Sequence, residues 1–561
     1  MKRKLCLLLL AISLLALTGC QAMVDYYLAR RFMVERMEAQ PTRTPVRSTT
    51  PAPLPNPFNE SADVNGAEPR LERMPAPAGG TMLDNKSGEW EETTYDEYAP
   101  LNDPGFISAL TSPLSTFAAD VDTAAYTNIR RMILHQEKIT PDAVRIEEMI
   151  NAFHYDDAMP AGEDPIAVTT QVAACPWNPG HLLLRVGLKA RAIEKDNVPA
   201  SNLVFLIDTS GSMNMPDKLP LVRRSFSLLV EQLGRADRVS IVTYAGNAQV
   251  VLEGVRGDEK AKLLAAIAEL TAGGGTAGAK GIETAYEIAA RYKAPGLNSR
   301  VILATDGDFN IGVNSESDLI RLIESKRGDG IFLTVLGYGY GNLKDNKMQA
   351  LAEHGNGNAT YIDTIHQARR ALVEEMGATL VTIAKDVKLQ VEFNPAVVEG
   401  YRLIGYESRR LNNEDFADDT KDGGEMGSGH GVTALYELIP AGAGELPASN
   451  LTYQKPAISD SGDYATVHVR YKRPDGDTST EIVQAVGQDA YTDTPNADFN
   501  LSAAIAAFGQ LLSGSEFAGA ADERMILDLL QPLLAEDVGG RVVELSTLVR
   551  QSGGLYEQNR R

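Results

Sequence analysis

A chain of 561 residues, 43% apolar and 23% charged, has material for several hydrophobic cores, so length and composition point to a globular protein of several parts and exclude extensive disorder. The formal net charge of −22 argues against nucleic acid and anionic membrane surfaces as partners, because phosphate groups are met by a basic footprint. The three cysteines, Cys6, Cys20 and Cys175, form no CxxC, which removes thiolate zinc and dithiol redox chemistry; Cys175 reads as a small buried hydrophobe.

Residues 1–19 read as a secretory signal peptide. Lys2, Arg3 and Lys4 supply the positive start, and the apolar run from Leu5 to Leu17 is too short to span a bilayer. The run ends in Leu17-Thr18-Gly19-Cys20, which resembles the bacterial lipobox. That resemblance makes Cys20 the residue that is acylated, with palmitate-type chains, and becomes the new N-terminus; several chains on one residue give stable anchoring where one does not. The expected location is therefore the cell envelope, and Gln21 in place of Asp directs the protein to the outer membrane if the cell is Gram-negative. Residues 20–95 form the lipidated N-terminus and a tether. From about Gln40 to Gly80 they are dense in Pro, Thr, Ala and Gly with little to bury. At ~3 Å per residue such a tether lifts the folded part on the order of 100 Å from the lipid.

Residues 96–200 form an α+β region. Asp122 or Thr123 caps a helix through Ile129, Met132 and Ile133, and Pro141 opens a second with Ile146, Met149, Ile150 and Phe153 on one face. Two strands follow, Ile166 to Val172 and Leu182 to Leu188.

Residues 201–385 alternate short apolar runs with amphipathic helices. Strands are expected at Leu203–Ile207, Val239–Tyr244, Gln249–Leu252, Val301–Ala304, Ile331–Leu336 and Ala359–Ile362. The first is apolar at every position, as a strand covered on both faces must be. The helix from Leu219 to Leu233 carries Val222, Phe226, Leu229 and Leu233 on one stripe and stops at Gly234. This alternation specifies an α/β, doubly wound parallel sheet of Rossmann-like type.

Strand patterns return in residues 386–495, at Val387–Phe393, Val432–Ile439, Ala465–Tyr471 and Glu481–Val486, with the acidic, Gly-rich stretch 412–431 read as a loop. Residues 496–561 read as helices over Ala497–Leu512 and Glu523–Arg550. Pairing between the β runs before and after the α/β unit would make that unit an insertion in a β-sandwich.

The chemistry is concentrated at the expected carboxyl edge of the α/β sheet. The first strand runs into Asp208-Thr209-Ser210-Gly211-Ser212, a DxSxS that points a carboxylate and two hydroxyls into the crevice where such sheets bind ligands. Thr276 sits in a Gly273-Gly274-Gly275 loop, and Asp306 follows the strand Val301–Ala304. Each fragment alone has a structural reading, as a helix N-cap or a turn. Together, at three strand ends, they form an all-oxygen donor set for a hard divalent cation, with no His or Cys for zinc.

These three elements in this order resemble the metal-ion-dependent adhesion site of von Willebrand factor type A (VWA) domains. Segments such as LSTFAADVDTAAYTNIRR, DAVRIEEMINAF, CPWNPGHLLLRVGLK and GVTALYELIPAG extend the likeness, and the chain resembles the bacterial YfbK-type VWA lipoproteins. The resemblance implies that Asp208, Ser210, Ser212, Thr276 and Asp306 bind the cation directly or through water. Mg2+ is the expected ion, with Mn2+ or Ca2+ as alternatives, and Asn214, Met215 and Ala277 leave the ligands unaltered. It also implies an open coordination position that an acidic residue of a partner protein fills, with the helix from Leu219 as the moving part.

Three readings from other classes compete: a metal-assisted hydrolase, a chelatase-like or chaperone-like protein working with an ATPase, which export away from ATP weakens, and a structural envelope scaffold. The first needs a base beside the ion, for which Asp308 and Asp217 are the nearest candidates, but no GxSxG or HExxH occurs and no catalytic residue is assigned. Gly337-Tyr338-Gly339-Tyr340-Gly341 lacks nucleotide-loop spacing and reads as a turn, and His430 reads as structural.

Overall fold

The strand Ser201–Asp208 lies at the middle of the fold and is buried along its whole length. It is β5 of sixteen strands in a computed structural model that describes residues 96–561, except 120–121, 195–196, 276–277, 308–315, 341–342, 376–380, 422, 448–460, 475, 538 and 556–561. The signal peptide, Cys20 and the tether lie outside the described residues. Among the described residues no helix is long and apolar enough to cross a membrane.

Six strands make the α/β sheet: β5, β6 (Arg238–Tyr244), β7 (Ala248–Arg256), β8 (Asn298–Thr305), β9 (Ile331–Tyr338) and β10 (Ala359–Ile362), in the order β10-β9-β8-β5-β6-β7. All neighbours are parallel except the edge pair β6 and β7. The expected doubly wound sheet is present, and all six strands fall where the apolar runs place them. Alternation along β5 divides its side chains between two helical layers. Leu203, Phe205 and Ile207 join Val222, Phe226 and Leu229 of the helix Leu219–Gln232, together with Leu263 and Ile267 of Lys260–Ala268. Val204 and Leu206 join Ile282, Ala285 and Tyr286 of Gly278–Arg291, Leu319 and Ile323 of Glu316–Gly328, and Met348 and Leu351 of Asp345–His354. The chain leaves β5 to one side for β6 and later returns to its other side as β8. The crevice between the ends of β5 and β8 is thus the topological switch point at which such folds bind ligands.

The remaining strands form two antiparallel sheets, each built from both sides of the α/β unit. In one, β1 (Ile107–Ser108), β12 (Val398–Ile404), β14 (Gly431–Pro440), β4 (Leu182–Ala190) and β3 (Ile166–Ala174) follow in that order, with Leu188 opposite Val432 where β4 pairs with β14. In the other, β11 (Thr382–Phe393) pairs with β2 (Leu114–Ala118), β13 (Gly424–Gly427) and β15 (Ala465–Lys472), and β15 with β16 (Ser479–Val486). The two sheets meet through aromatic rings: Phe393 stacks on Tyr401 at 4.1 Å between centroids, and the Tyr401 hydroxyl donates to the carbonyls of Ser112 and Leu114. The α/β unit is therefore inserted between β4 and β11. Regions read separately as 96–200, 386–495 and 496–561 share these sheets and one helical layer. In that layer Ala124–His135 and Ile146–Asn151 pack with Ala497–Ser513, Glu523–Leu530 and Arg541–Gln551 over Leu183, Ile404 and Leu435.

Several boundaries differ from expectation. The helix expected from Pro141 is a 3-10 turn, Pro141–Ala143, then a separate helix from Ile146, because Val144 and Arg145 are not helical. Glu523–Arg550 is broken after Leu530 by a 3-10 segment containing Pro532 and again by Gly540 in the left-handed region, at φ 68°. Strand β12 escapes the period-2 pattern because Arg402 within it is buried, paired with Glu437 and Asp103. The stretch 412–431 contains β13 and a 3-10 turn with a capping box, Asn412 with Asp415.

Candidate metal site

Strand β5 ends at Asp208, whose side chain is fully buried. One carboxylate oxygen accepts the Ser210 backbone N–H at 2.8 Å, and the hydroxyl of Thr305, across the β5/β8 pair, stands 3.5 Å from the other. The chain then makes a 3-10 turn, Gly211–Met213, before Lys218 leads into Leu219–Gln232. This turn sets the Ser210 and Ser212 hydroxyls 3.0 Å apart, with Ser210 buried and Ser212 exposed.

The glycine loop does not follow a strand as expected but joins the helices Lys260–Ala268 and Gly278–Arg291, and backbone bonds tie it to the same turn. Gly211 N–H donates to Gly274 O at 3.1 Å and Gly273 N–H to Thr209 O at 2.8 Å. Gly274 has φ +89°, a backbone that favours glycine, while a Cβ on Gly211 would be in ordinary contact with the Gly274 carbonyl at 3.4 Å. Thr276, the threonine expected to face the cation, lies outside the described residues, as does Asp308.

Asp306, just beyond β8, is 2% exposed, and its carboxylate accepts the Lys218 ammonium at 2.9 Å. Asp208, Ser210, Ser212 and Asp306 are thus brought to one end of the sheet, with the Gly273–Gly275 loop against them. Burial pushes the Asp208 carboxyl up to about 6; hydrogen bonds from Ser210 oppose the shift and the charge of Asp306 adds to it. Two carboxylates and two hydroxyls, with the Lys218 ammonium against one carboxylate, are oxygen donors of the kind that hard divalent ions take. Among the described residues no group of three or more His, Cys, Asp or Glu side chains could hold a metal.

The sequence reading missed Lys218, Tyr244 and Thr305. Tyr244, at the end of β6, is buried with its hydroxyl interacting with Asp208 and Thr305. Only adjacency could have marked Thr305, which precedes Asp306, whereas nothing in the spacing of Lys218 brings it back to Asp306. Asp217, considered as a base, is half-buried and acts electrostatically on Tyr361. His430 is held near 4 by desolvation and by Lys189, and its backbone N–H donates to Gly427 O.

A doubly wound sheet with this acid and hydroxyl cluster at its switch point defines a VWA protein, and the family described as "von Willebrand factor type A domain" matches residues 202–374. Flanking matches are "von Willebrand factor" over residues 92–185 and "Uncharacterized protein YfbK, C-terminal" over 378–555. The YfbK protein of Escherichia coli (strain K12) is 38% identical over 471 residues, covering 82% of this chain and 81% of that protein, and the chain belongs to the YfbK family. The magnesium-chelatase 60 kDa subunit of Cereibacter sphaeroides is 31% identical over 190 residues, 30% of this chain and 33% of that one. A solved von Willebrand factor type A structure from Catenulispora acidiphila aligns over 70% of this chain and 91% of its own, with TM-score 0.40 and 18% identity.

Proposed function

We propose that this chain is a lipid-anchored cell-envelope protein whose VWA domain holds a divalent cation, Mg2+ by preference, and uses it to capture a protein partner. Asp208, Ser210, Ser212, Thr276 and Asp306 would hold the ion, and Cys20 would carry the lipid. The observation that carries the reading is the meeting of the chain ends of β5 and β8 and the helix-to-helix glycine loop around two buried carboxylates and a pair of hydroxyls 3.0 Å apart. The raised Asp208 carboxyl supports it, since a cation offsets the cost of burying that charge.

Bound there, the cation would supply a positive centre with room for a further oxygen ligand, because these side chains give it fewer oxygens than six-coordination asks. On a chain of net charge −22 that centre reverses the local sign, which suits a partner presenting Asp or Glu. The exposed Ser212 marks the side from which the partner approaches. The Leu219–Gln232 helix, entered through Lys218, is the element next to the site that can respond. Export and anchoring rest on Lys2 to Leu17 and the Thr18-Gly19-Cys20 sequence. The name of the chelatase relatives agrees with magnesium as the ion.

The test is capture from envelope extracts by the full chain, with Mg2+ or with EDTA. A set of partners lost in EDTA and equally lost in Asp208→Ala is expected. The same partners under all conditions would leave a metal-independent scaffold.

A further inference from the structure

The Lys218 ammonium is 2.9 Å from Asp306 Oδ2, and both side chains are nearly closed to solvent, at 10% and 2% exposure. It reaches this place from the residue before the Leu219–Gln232 helix, and its aliphatic stem lies along Gly339 at the end of β9. Gly339 has φ +77°, and a Cβ there would run into Cγ, Cδ and Cε of the lysine. The path of the lysine is thus shaped by a third strand end, as a groove that a side chain at 339 would fill.

We propose that Lys218 is a resident competitor for the cation: its ammonium holds Asp306 when the site is metal-free and has to withdraw, or share that carboxylate, when a divalent ion enters. This rests on the metal-binding reading above and deepens it. An ammonium is a compact unit charge with three donors, so it offsets one of the two carboxylate charges and blocks the oxygen it contacts. A divalent ion bound at ~2.1 Å from that carboxylate is repelled by an ammonium 2.9 Å from it and gains less from a crevice of net charge −1 than of −2. Withdrawal is mechanically coupled to the helix. The carbonyl of Lys218 accepts the Val222 N–H, so the residue that yields the carboxylate also opens the first helical turn. Cation entry and a shift of Leu219–Gln232 become one event.

The experiment uses the full chain stripped with EDTA, titrated with MgCl2 by calorimetry and melted with and without the ion, for wild type, K218M, K218Q and K218R. The expected result is Mg2+ binding tighter by at least ~10-fold in K218M and K218Q, with K218R near wild type, because the charge and not the length of the side chain is what competes. The metal-free melting temperature should fall in the two neutral variants, and saturating Mg2+ should close the gap; a merely structural lysine would lower both melts alike. Tight binding by K218M with none by wild type also supports the proposal. Equal affinities and equal Mg2+ shifts in all four proteins overturn it while leaving the metal reading intact. No Mg2+ binding by any of them removes the metal reading and this inference together.

Discussion

The guanidinium of Arg145 meets the carboxylate of Asp345 at 2.8 Å, with side-chain exposures of 3% and 0%. Arg145 belongs to the helical layer over the β-sandwich and Asp345 opens a helix of the VWA domain, so this buried pair joins the inserted domain to its host. Glu148 bonds both Arg145 and Gln349 and extends the junction. Removing one partner leaves the other charge buried, which costs about 3–5 kcal/mol where it is measured. Because Glu148 still holds Arg145 in Asp345→Ala, the loss is expected to lie between about 1 and 5 kcal/mol, the measured range being its upper end, read from urea unfolding followed by the fluorescence of the buried Trp177. A loss below about 1 kcal/mol would mean that the two bodies are held by apolar packing instead.

Beside that junction Glu147 is 5% exposed and pressed against Gly405, with Glu148 and Glu407 as neighbours. Burial, then the charges of Glu407 and Glu148, push its carboxyl up to about 8 from its ordinary value of 4.5. A folded-state pKa above the unfolded one stabilises the protein fully below the lower value, and the contribution is lost as pH rises through the higher. Stability should thus decline between pH 4.5 and 8 by no more than about 1.4 kcal/mol per unit from this group. Glu147→Gln, neutral throughout, should melt higher than wild type at pH 8 and nearly equal to it at pH 5. Parallel melting curves across that range would show that Glu147 stays ionised.

The α/β sheet was legible because its strands, the edge strand β7 excepted, are apolar runs bounded by turn residues, and Asp208 and Asp306 stand at the ends of two of them. Asp208 and Asp306 could be brought together from sequence once β5 and β8 were read as parallel neighbours. The host was harder, because its sheets are assembled from segments more than two hundred residues apart. Leu188 opposite Val432 and Leu389 opposite Phe117 are non-local pairings with no local signal. Strand β12 was hidden by its buried Arg402, and Lys218 by being an ordinary lysine whose partner is 88 residues away.

Cys175 is 1% exposed and its thiol is pushed up by burial first and then by the charge of Glu437. Thiolate is the reactive form, so this cysteine should resist maleimide for as long as the fold persists. Labelling of Cys175 in native buffer should be at least ~100-fold slower than in denaturant, following the unfolded population. Rapid native labelling would place the thiol in a region that opens locally.

Gly339 ties the stability of the site to the lysine. An alanine there meets two costs: a backbone at φ +77°, which is worth roughly 1–3 kcal/mol for a residue with a side chain, and a collision with the Lys218 stem. Gly339→Ala should therefore lower the melting temperature, and the two costs can be separated by a double-mutant cycle. In a Lys218→Ala background the collision is gone and only the backbone cost remains. The penalty of Gly339→Ala should then shrink, by about 0.5–3 kcal/mol as for residues in direct contact. If the penalty is the same in both backgrounds, the lysine stem does not occupy the groove at Gly339, and the route by which its ammonium reaches Asp306 must be different.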